Sequence, residues 1–188
     1  MSLPPLHLLT TERLLLRPLT LNDANEIFLL RSDDVVNQYL GRAKAKSLQE
    51  AIDFINKINF GSRNQQSFYW GICLNDSDSL VGTICLWNFS PQGDSAEIGY
   101  ELLPRYHGKG IMQEALTRVL DFAFTTLQLS TIEAWTTQQN VGSIRLLERN
   151  HFARDQNLEK NIDRNVEGPD LVIYVLSKEQ SSSAAVPV

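Results

Sequence analysis

The chain contains little cysteine and histidine, with two Cys and three His among 188 residues. Cys73 and Cys85 lie inside apolar runs of strand character, so buried free thiols are expected. Neither a disulfide framework nor a metal site is predicted. The formal net charge of −5 lacks the basic excess of a general nucleic-acid binder. No apolar run approaches the roughly 20 residues that span a bilayer, so a membrane is not an expected partner either.

The composition itself is that of an ordinary globular protein, with 43% hydrophobic and 21% charged residues. A single domain is expected over residues 1–179 because the length suits one core and no linker interrupts it. The Ser- and Ala-rich residues 180–188 are predicted to form a disordered tail. The N terminus lacks the basic-then-apolar order of a signal peptide, so the cytoplasm is the expected location.

Apolar periodicity predicts an α/β (α+β) fold with about seven strands and flanking helices. A strand–loop–helix–strand unit over residues 95–136 predicts a parallel strand pair joined by a right-handed crossover. Strands are predicted at 13–19, 68–74, 80–87, 95–103, 131–136, 152–158 and 171–176. Helices are predicted from Thr20 to Arg31, from Ser47 to Gly61, from Lys109 to about Leu127, and from Val141 to Asn150.

The segment between the fourth strand and the third helix, Arg105-Tyr106-His107-Gly108-Lys109-Gly110-Ile111, is a candidate pyrophosphate site. Glycines allow a ligand close to the backbone, and the N–H groups of the first helical turn have no intrahelical acceptor. Gly108-Lys109 is followed by Gly110-Ile111 and not by the Ser or Thr of a P-loop, and Gln113 replaces the third small residue of a dinucleotide fingerprint. A tight turn without a ligand is the alternative interpretation.

A second constellation follows the next strand at Asn140-Val141-Gly142-Ser143. Ligands on parallel sheets bind outside the carboxyl ends of the strands, so Asn140 and Ser143 are expected beside the same crevice as the glycine segment. Asn140 could equally serve only as the cap of the helix that it precedes.

In these stretches the chain resembles the GCN5-related N-acetyltransferase (GNAT) superfamily, and within it the ribosomal-protein N-terminal acetyltransferases (RimJ/RimL-like). The resemblance covers roughly residues 8–178. The matching motifs occur in the family's order: 11–19, 97–100, 105–110, 140–143, 146–149 and 170–176.

The resemblance implies the GNAT fold, in which a parallel strand pair splays around acetyl-CoA as co-substrate. It places the pyrophosphate on residues 105–111 and the pantetheine arm along the strand that ends at Leu102-Leu103. No metal is implied. The implied cofactor-binding residues are Leu102, Leu103, Arg105, His107, Gly108, Lys109, Gly110, Ile111, Asn140 and Ser143.

For catalysis, the resemblance implies that an amine attacks the thioester directly. Many members donate a proton to the thiolate from a tyrosine at the position of Leu147, and Ser143 is implied to replace it here. Glu97 is the implied general base, with Glu101 or water as its rival, although Glu97 could equally be a solvated strand residue. Tyr100 or water is the alternative proton source. The family's Gly-Phe at the end of this helix is replaced by His151-Phe152, so Asn150 is expected to supply the left-handed C-cap.

The expected partner is an amine acceptor, either the N-terminal α-amino group of a protein or a small molecule. Its site would be built by the two N-terminal helices and the 159–170 loop. The chain is expected to be a monomer or a homodimer. The competing hypothesis is a catalytically silent module that binds CoA for regulation.

Overall fold

The computed structural model describes residues 8–77, 79–163 and 170–184, with the side chains of 182–184 left out. Eight strands form one mixed sheet in the order β1-β2-β3-β4-β5-β6-β8-β7. The predicted fold class is confirmed, and the additional strand is the short β1. The strands are Leu9–Thr10 (β1), Leu14–Arg17 (β2), Phe68–Leu74 (β3), Leu80–Trp87 (β4), Ser95–Leu102 (β5), Thr131–Thr137 (β6), Ala153–Arg154 (β7) and Leu171–Ser177 (β8).

Helices cover both faces of the sheet and bury two apolar cores. One core packs β-strand side chains against the long helix between β5 and β6, and the other packs the opposite face against the N-terminal helices. The helices are Ala24–Ser32 (α1), Asp34–Asn37 (α2), Leu48–Arg63 (α3), Ile111–Thr125 (α4), Val141–Arg149 (α5), Gln156–Lys160 (α6) and Lys178–Ala184 (α7).

The predicted parallel pair, β5 and β6, is joined only at its start. The pairing comprises Ser95 with Thr131, Ala96 with Ile132 and Glu97 with Glu133, and it stops there. Beyond Glu97, β5 remains paired with β4, whereas β6 follows β8 along its whole length. The carboxyl halves of the two strands therefore separate and leave a gap between them.

The predicted strand over 152–158 is wrong beyond Arg154. The strand β7 holds only Ala153 and Arg154, and α6 begins at Gln156. The Asp155 carboxylate accepts hydrogen bonds from the backbone N–H groups of Asn157 and Leu158 at 2.8 and 3.0 Å. This cap satisfies donors of the first helical turn, so the chain leaves the sheet.

The end of α5 also differs from the expectation. Asn150 has φ of −97°, and the left-handed conformation falls on His151 at φ of 65°. The buried Asn150 amide instead donates to Leu146 O at 2.7 Å and accepts from Gln113 Nε2 at 2.8 Å. Because Gln113 lies in the first turn of α4, this side chain ties α5 to the helix that follows the glycine segment.

At the C terminus, α7 extends through residues for which the composition predicts disorder. Its start is held because Lys178 N donates to Ser130 O at 2.9 Å and Ser177 N donates to Gln180 Oε1 at 3.0 Å. The last part of the predicted tail, 185–188, lies outside the described residues. None of the helices in the described ranges is long and apolar enough to cross a membrane.

Gly82 permits the close contact between β4 and β5 beside the gap. A Cβ at this position would lie 2.4 Å from the Glu101 carbonyl oxygen, whereas a Cβ at Gly41 would meet nothing within 4 Å. We expect Gly82→Ala to lower the free energy of unfolding by about 1–3 kcal/mol, the usual cost of overpacking. Gly41→Ala is the matched control, and urea unfolding of both variants is the measurement. Equal midpoints for the two variants would contradict this packing.

Candidate active site

The glycine segment turns sharply between β5 and α4. A single 3₁₀ turn covers Pro104–Tyr106, and Gly108 and Gly110 then adopt positive φ of 72° and 74°. Gly110 is the N-cap of α4 and has no side chain to bond the first-turn N–H groups. These donors, together with the positive end of the helix dipole, form a site suited to an anion.

Two exposed cations border this helix start. The Arg105 guanidinium lies 5.1 Å and the Lys109 ammonium 5.4 Å from the centre of the Tyr106 ring. Among the described residues, neither side chain forms an ion pair. The ring thus holds two uncompensated positive charges beside the glycines.

A third cation, Arg13, reaches the same place from the N-terminal end of β2. Its Nη1 donates to Lys109 O at 3.1 Å, and its Nη2 lies 3.4 Å from where a Cβ on Gly110 would be. Glu114 in the first turn of α4 pairs with Arg13 Nε at 2.6 Å and accepts from Arg13 N at 3.0 Å. Burial alone would raise the pKa of Glu114, but the hydrogen bonds from Thr11 and from Arg13 together lower it. No sequence pattern indicates this contact, because 96 residues separate Arg13 from Lys109.

Leu102 and Leu103 have different backbone environments. Leu103 N donates to Val81 O at 3.0 Å, and the Leu103 side chain is buried in the core under the N-terminal helices. Alternation along the strand then turns the backbone of Leu102 and Tyr100 away from β4 and towards the gap. His107 Nε2 lies 2.9 Å from Leu102 O, so His107 holds the end of β5.

Across the gap, α5 brings Ser143 to β5. The Asn140 side chain accepts from Ser143 N at 3.1 Å, which caps α5 and fixes Ser143 in its first turn. Ser143 Oγ lies 2.8 Å from Tyr100 Oη. Burial raises the pKa of Tyr100 to about 12, against the smaller opposing effect of the bond to Ser143. The phenol therefore stays protonated at neutral pH and can donate to the serine.

The two candidate bases lie on the other face of β5. Glu97 and Glu101 alternate with Tyr100, and they share their face with Cys85 of β4, which is paired with Gly99. The Arg42 guanidinium donates to the Glu101 carboxylate from both terminal nitrogens, Nη1 and Nη2, and the bond from Nη1 is 2.9 Å long. Glu97 is half-buried and lies where pairing between β5 and β6 ends.

Neither cysteine is part of a disulfide, and Cys73 is fully buried. Burial, and secondarily the charge of Glu101, raises the pKa of Cys85 to about 12. A thiol with that pKa is not a nucleophile at neutral pH, because only the thiolate attacks. No group of three metal-ligating side chains occurs in the described parts of the chain.

The fold therefore gathers most of the predicted site residues around one gap, with Ser143 on one side and the glycine segment at its end. Asn140 acts as a helix cap in this structure, and Leu147 is buried in the core. The Tyr100 hydroxyl lies 2.8 Å from that of Ser143, a contact that the sequence did not indicate. The predicted acceptor loop 159–170 falls partly on residues 164–169, which lie outside the described residues.

Comparison with known proteins gives a consistent result. The family described as acetyltransferase (GNAT) domain matches residues 13–153. The uncharacterized N-acetyltransferase YoaA of Bacillus subtilis is 32% identical over 171 residues, which cover 91% of this chain and 97% of YoaA.

Solved structures share the fold. The acetyltransferase (GNAT family) from Bacillus anthracis superimposes with a TM-score of 0.79 at 25% identity, covering 92% of this chain and 99% of that one. The ribosomal L7/L12 α-N-protein acetyltransferase RimL, in complex with coenzyme A, gives a TM-score of 0.78 at 17% identity, with coverage of 91% and 98%. At that identity the second likeness concerns the fold alone.

The high pKa of Cys85 predicts that acetyl transfer does not pass through this thiol. We expect Cys85→Ala to keep kcat/KM for acetyl-CoA and an accepted amine within about threefold, because no covalent step is lost. Cys73→Ala, at the fully buried thiol, is the control for packing loss, and melting temperatures are measured alongside. A drop of a thousandfold in kcat for Cys85→Ala alone would point to an acetyl-cysteine intermediate.

Proposed function

The chain belongs to the GNAT acetyltransferase family, and we propose that it transfers the acetyl group of acetyl-CoA directly to a primary amine at the gap between β5 and β6. Acetyl-CoA is the co-substrate, as in the family as a whole. The observation that carries the proposal is the convergence at one gap of an anion-binding helix start, a strand with unpaired backbone, and the Tyr100–Ser143 pair.

The proposed position of the cofactor pyrophosphate is set by backbone N–H groups and by nearby positive charges. The pyrophosphate lies on the first-turn N–H groups of α4, with Gly108 and Gly110 giving it room and Arg105 and Lys109 giving it charge. His107 shapes the turn and Ile111 anchors the helix start in the core. Arg13 adds a cation that is already held by Glu114.

The pantetheine arm then runs into the gap. The backbone of Leu102 pairs with its amides as an added partial strand, while Leu103 supports that strand from the core. Asn140 contributes by fixing the start of α5, and through it the position of Ser143.

In the reaction, the amine nitrogen forms a bond to the thioester carbonyl carbon, and the bond from that carbon to sulfur then breaks. The electron pair of the broken bond stays on sulfur. Ser143 donates a hydrogen bond to this sulfur and accepts one from Tyr100. A full proton transfer from Tyr100, with a pKa of about 12, to a thiolate of about 8.5, as for cysteine, would be uphill. The pair therefore stabilises the developing charge, while solvent takes the surplus proton from the acylated nitrogen and delivers one to the sulfur.

The amine must first lose a proton, and Glu97 is the proposed base. Its rival Glu101 accepts hydrogen bonds from the Arg42 guanidinium at both carboxylate oxygens, so these oxygens are already engaged. An α-amino group has a pKa of about 7.7–8.0 and needs little help, whereas a lysine at about 10.4 needs more. The acceptor is a protein N terminus or a small amine.

Removal of the Ser143 hydroxyl tests the leaving-group role. We expect Ser143→Ala to lower kcat and kcat/KM together by about 10²-fold, the low end for acid catalysis, because the interaction develops with charge on sulfur. Acetyl-CoA affinity should stay within a few-fold. Steady-state kinetics and CoA titration are the measurements.

Tyr100→Phe is the companion variant, since it keeps the ring in the core and removes only the second donor. We expect a smaller loss than for Ser143→Ala, because Ser143 still reaches the sulfur. Wild-type turnover in both variants would remove the pair from the mechanism.

The cofactor position is tested at Gly110. We expect Gly110→Asp to weaken acetyl-CoA binding by at least about 100-fold, because a carboxylate would face the pyrophosphate at the start of α4. Gly110→Asn is the matched control, since it has nearly the same size and tolerates positive φ but carries no charge. Calorimetric titration gives both affinities. Equal affinity in the two variants would show that charge at this position does not matter.

The silent CoA-binding module makes a different prediction. It would bind acetyl-CoA and release no thiol with any amine. A screen of primary amines with saturating acetyl-CoA, following free CoA thiol, separates the two and identifies acceptor classes. Thiol release that depends on both the amine and Ser143 supports the enzyme.

A further inference from the structure

Arg31 is a half-buried cation close to the proposed acceptor side of the gap. It lies in the last turn of α1, and its guanidinium carbon is 3.9 Å from the centre of the Phe54 ring on α3. Stacking on an aromatic face fixes the plane of the guanidinium while leaving its N–H edge available. Among the described residues, no carboxylate lies within ion-pair distance of it.

The neighbouring cation Arg42 has a carboxylate partner, whereas Arg31 has none in the part of the chain that the structure describes. Arg42, in the segment between α2 and α3, pairs with Glu101 and donates from Nε to Asn37 Oδ1 at 2.9 Å. Asn37 is itself buried and donates to Leu30 O and Asp33 O at 3.0 and 2.7 Å. The charge of Arg42 is thus compensated and its position is held, so Arg31, Arg42 and Glu101 together carry one net positive charge.

The surroundings of Arg31 disfavour that charge. Burial, and next the nearby Arg42, lowers the pKa of Arg31, although Glu101, Tyr69 and Glu50 act in the opposite direction. An arginine stays charged in proteins all the same. A buried charge is ordinarily paired, so the N–H edge of Arg31 fits a ligand anion that these residues do not supply.

The location connects this edge to the reaction. Glu101 lies on β5 beyond the last residue paired with β6, and its face is opposite to that of Tyr100 and Ser143. Tyr69 and Thr83, whose hydroxyl groups are 3.0 Å apart, form the buried floor of the same face. An acceptor entering from this face would meet Arg31 before its amine reached the gap.

We propose that the acceptor amine carries a carboxylate and that Arg31 binds this carboxylate. The inference rests on the proposed acetyl transfer and specifies its acceptor. A planar guanidinium pairs with a carboxylate through two parallel hydrogen bonds, which orients the rest of the acceptor towards the thioester. Polyamines, which would bring an ammonium against Arg31 and Arg42, are poor acceptors because like charges repel.

The same carboxylate could belong to a free amino acid or to an acidic side chain near a peptide N terminus. The experiment therefore has two arms, each with a pair of acceptors differing only in carboxylate or carboxamide. One arm uses β-alanine and β-alanine amide, and the other uses the peptides Ser-Glu-Ala and Ser-Gln-Ala with amidated C termini. The full chain and saturating acetyl-CoA are used, and kcat/KM is measured by thiol release.

For the wild type we expect a carboxylate-to-carboxamide ratio of kcat/KM of about 10–100-fold in at least one arm, as hydrogen bonds to charged groups allow. In Arg31→Gln that ratio should fall to within threefold of one, while the carboxamide acceptor keeps its kcat/KM. Differences in amine pKa between acceptors cancel, because the same acceptors are compared in both enzymes. Arg63→Gln, at an exposed arginine at the end of α3, should leave the ratio unchanged.

Arg31→Lys provides a second variant if Arg31→Gln does not fold, since it keeps the charge and loses the planar fork. An intermediate ratio is expected there. A parallel loss for both acceptors, with the ratio unchanged, would mean a structural role and overturn the inference, as would spermidine proving a better acceptor than either carboxylate. Equal acetylation of amines with and without a carboxylate would also overturn the inference, but it would not contradict the proposed acetyl transfer. Binding of acetyl-CoA without release of the CoA thiol in the presence of any amine would contradict both this inference and the proposed acetyl transfer.

Discussion

The early end of pairing between β5 and β6 is the constraint on which the rest of the site depends. Only three residue pairs join the two strands, while β4 and β8 continue to pair with them on their outer sides. The gap leaves backbone groups of β5 without a strand partner, and such groups must bond to something. In an acetyltransferase of this family, the pantetheine amides can supply those bonds.

Positive charges are concentrated near this gap, although the protein as a whole is acidic. The formal net charge is −5, yet Arg13, Arg105 and Lys109 converge on the start of α4. On the other side of β5, Arg42 is compensated by Glu101. Arg13 is paired with Glu114, whereas Arg105 and Lys109 form no ion pair among the described residues and lie where the proposed pyrophosphate would be.

The proposed acetyl transfer does not require a side chain whose pKa is shifted towards a reactive, deprotonated form. Both Tyr100 and Cys85 have a pKa of about 12, which keeps them protonated rather than activated. Direct attack by an amine fits this pattern, since it requires neither an enzyme thiolate nor a metal. The arrangement favours positioning and hydrogen bonding at the sulfur over covalent catalysis.

Local patterns in the sequence determined the glycine turn at Gly108 and Gly110, the Asn140 cap and most strands and helices, because these depend on neighbouring residues. The sequence-based prediction was wrong at two places. The helix cap formed by Asp155 ends β7 early, and His151 takes the left-handed conformation that was expected of Asn150. Tertiary structure alone decided that Arg13 reaches Lys109, that Tyr100 meets Ser143, and that Arg42 pairs with Glu101. Each of those contacts joins residues 43–96 positions apart, and sequence periodicity carries no information on which distant side chains meet once a sheet is assembled.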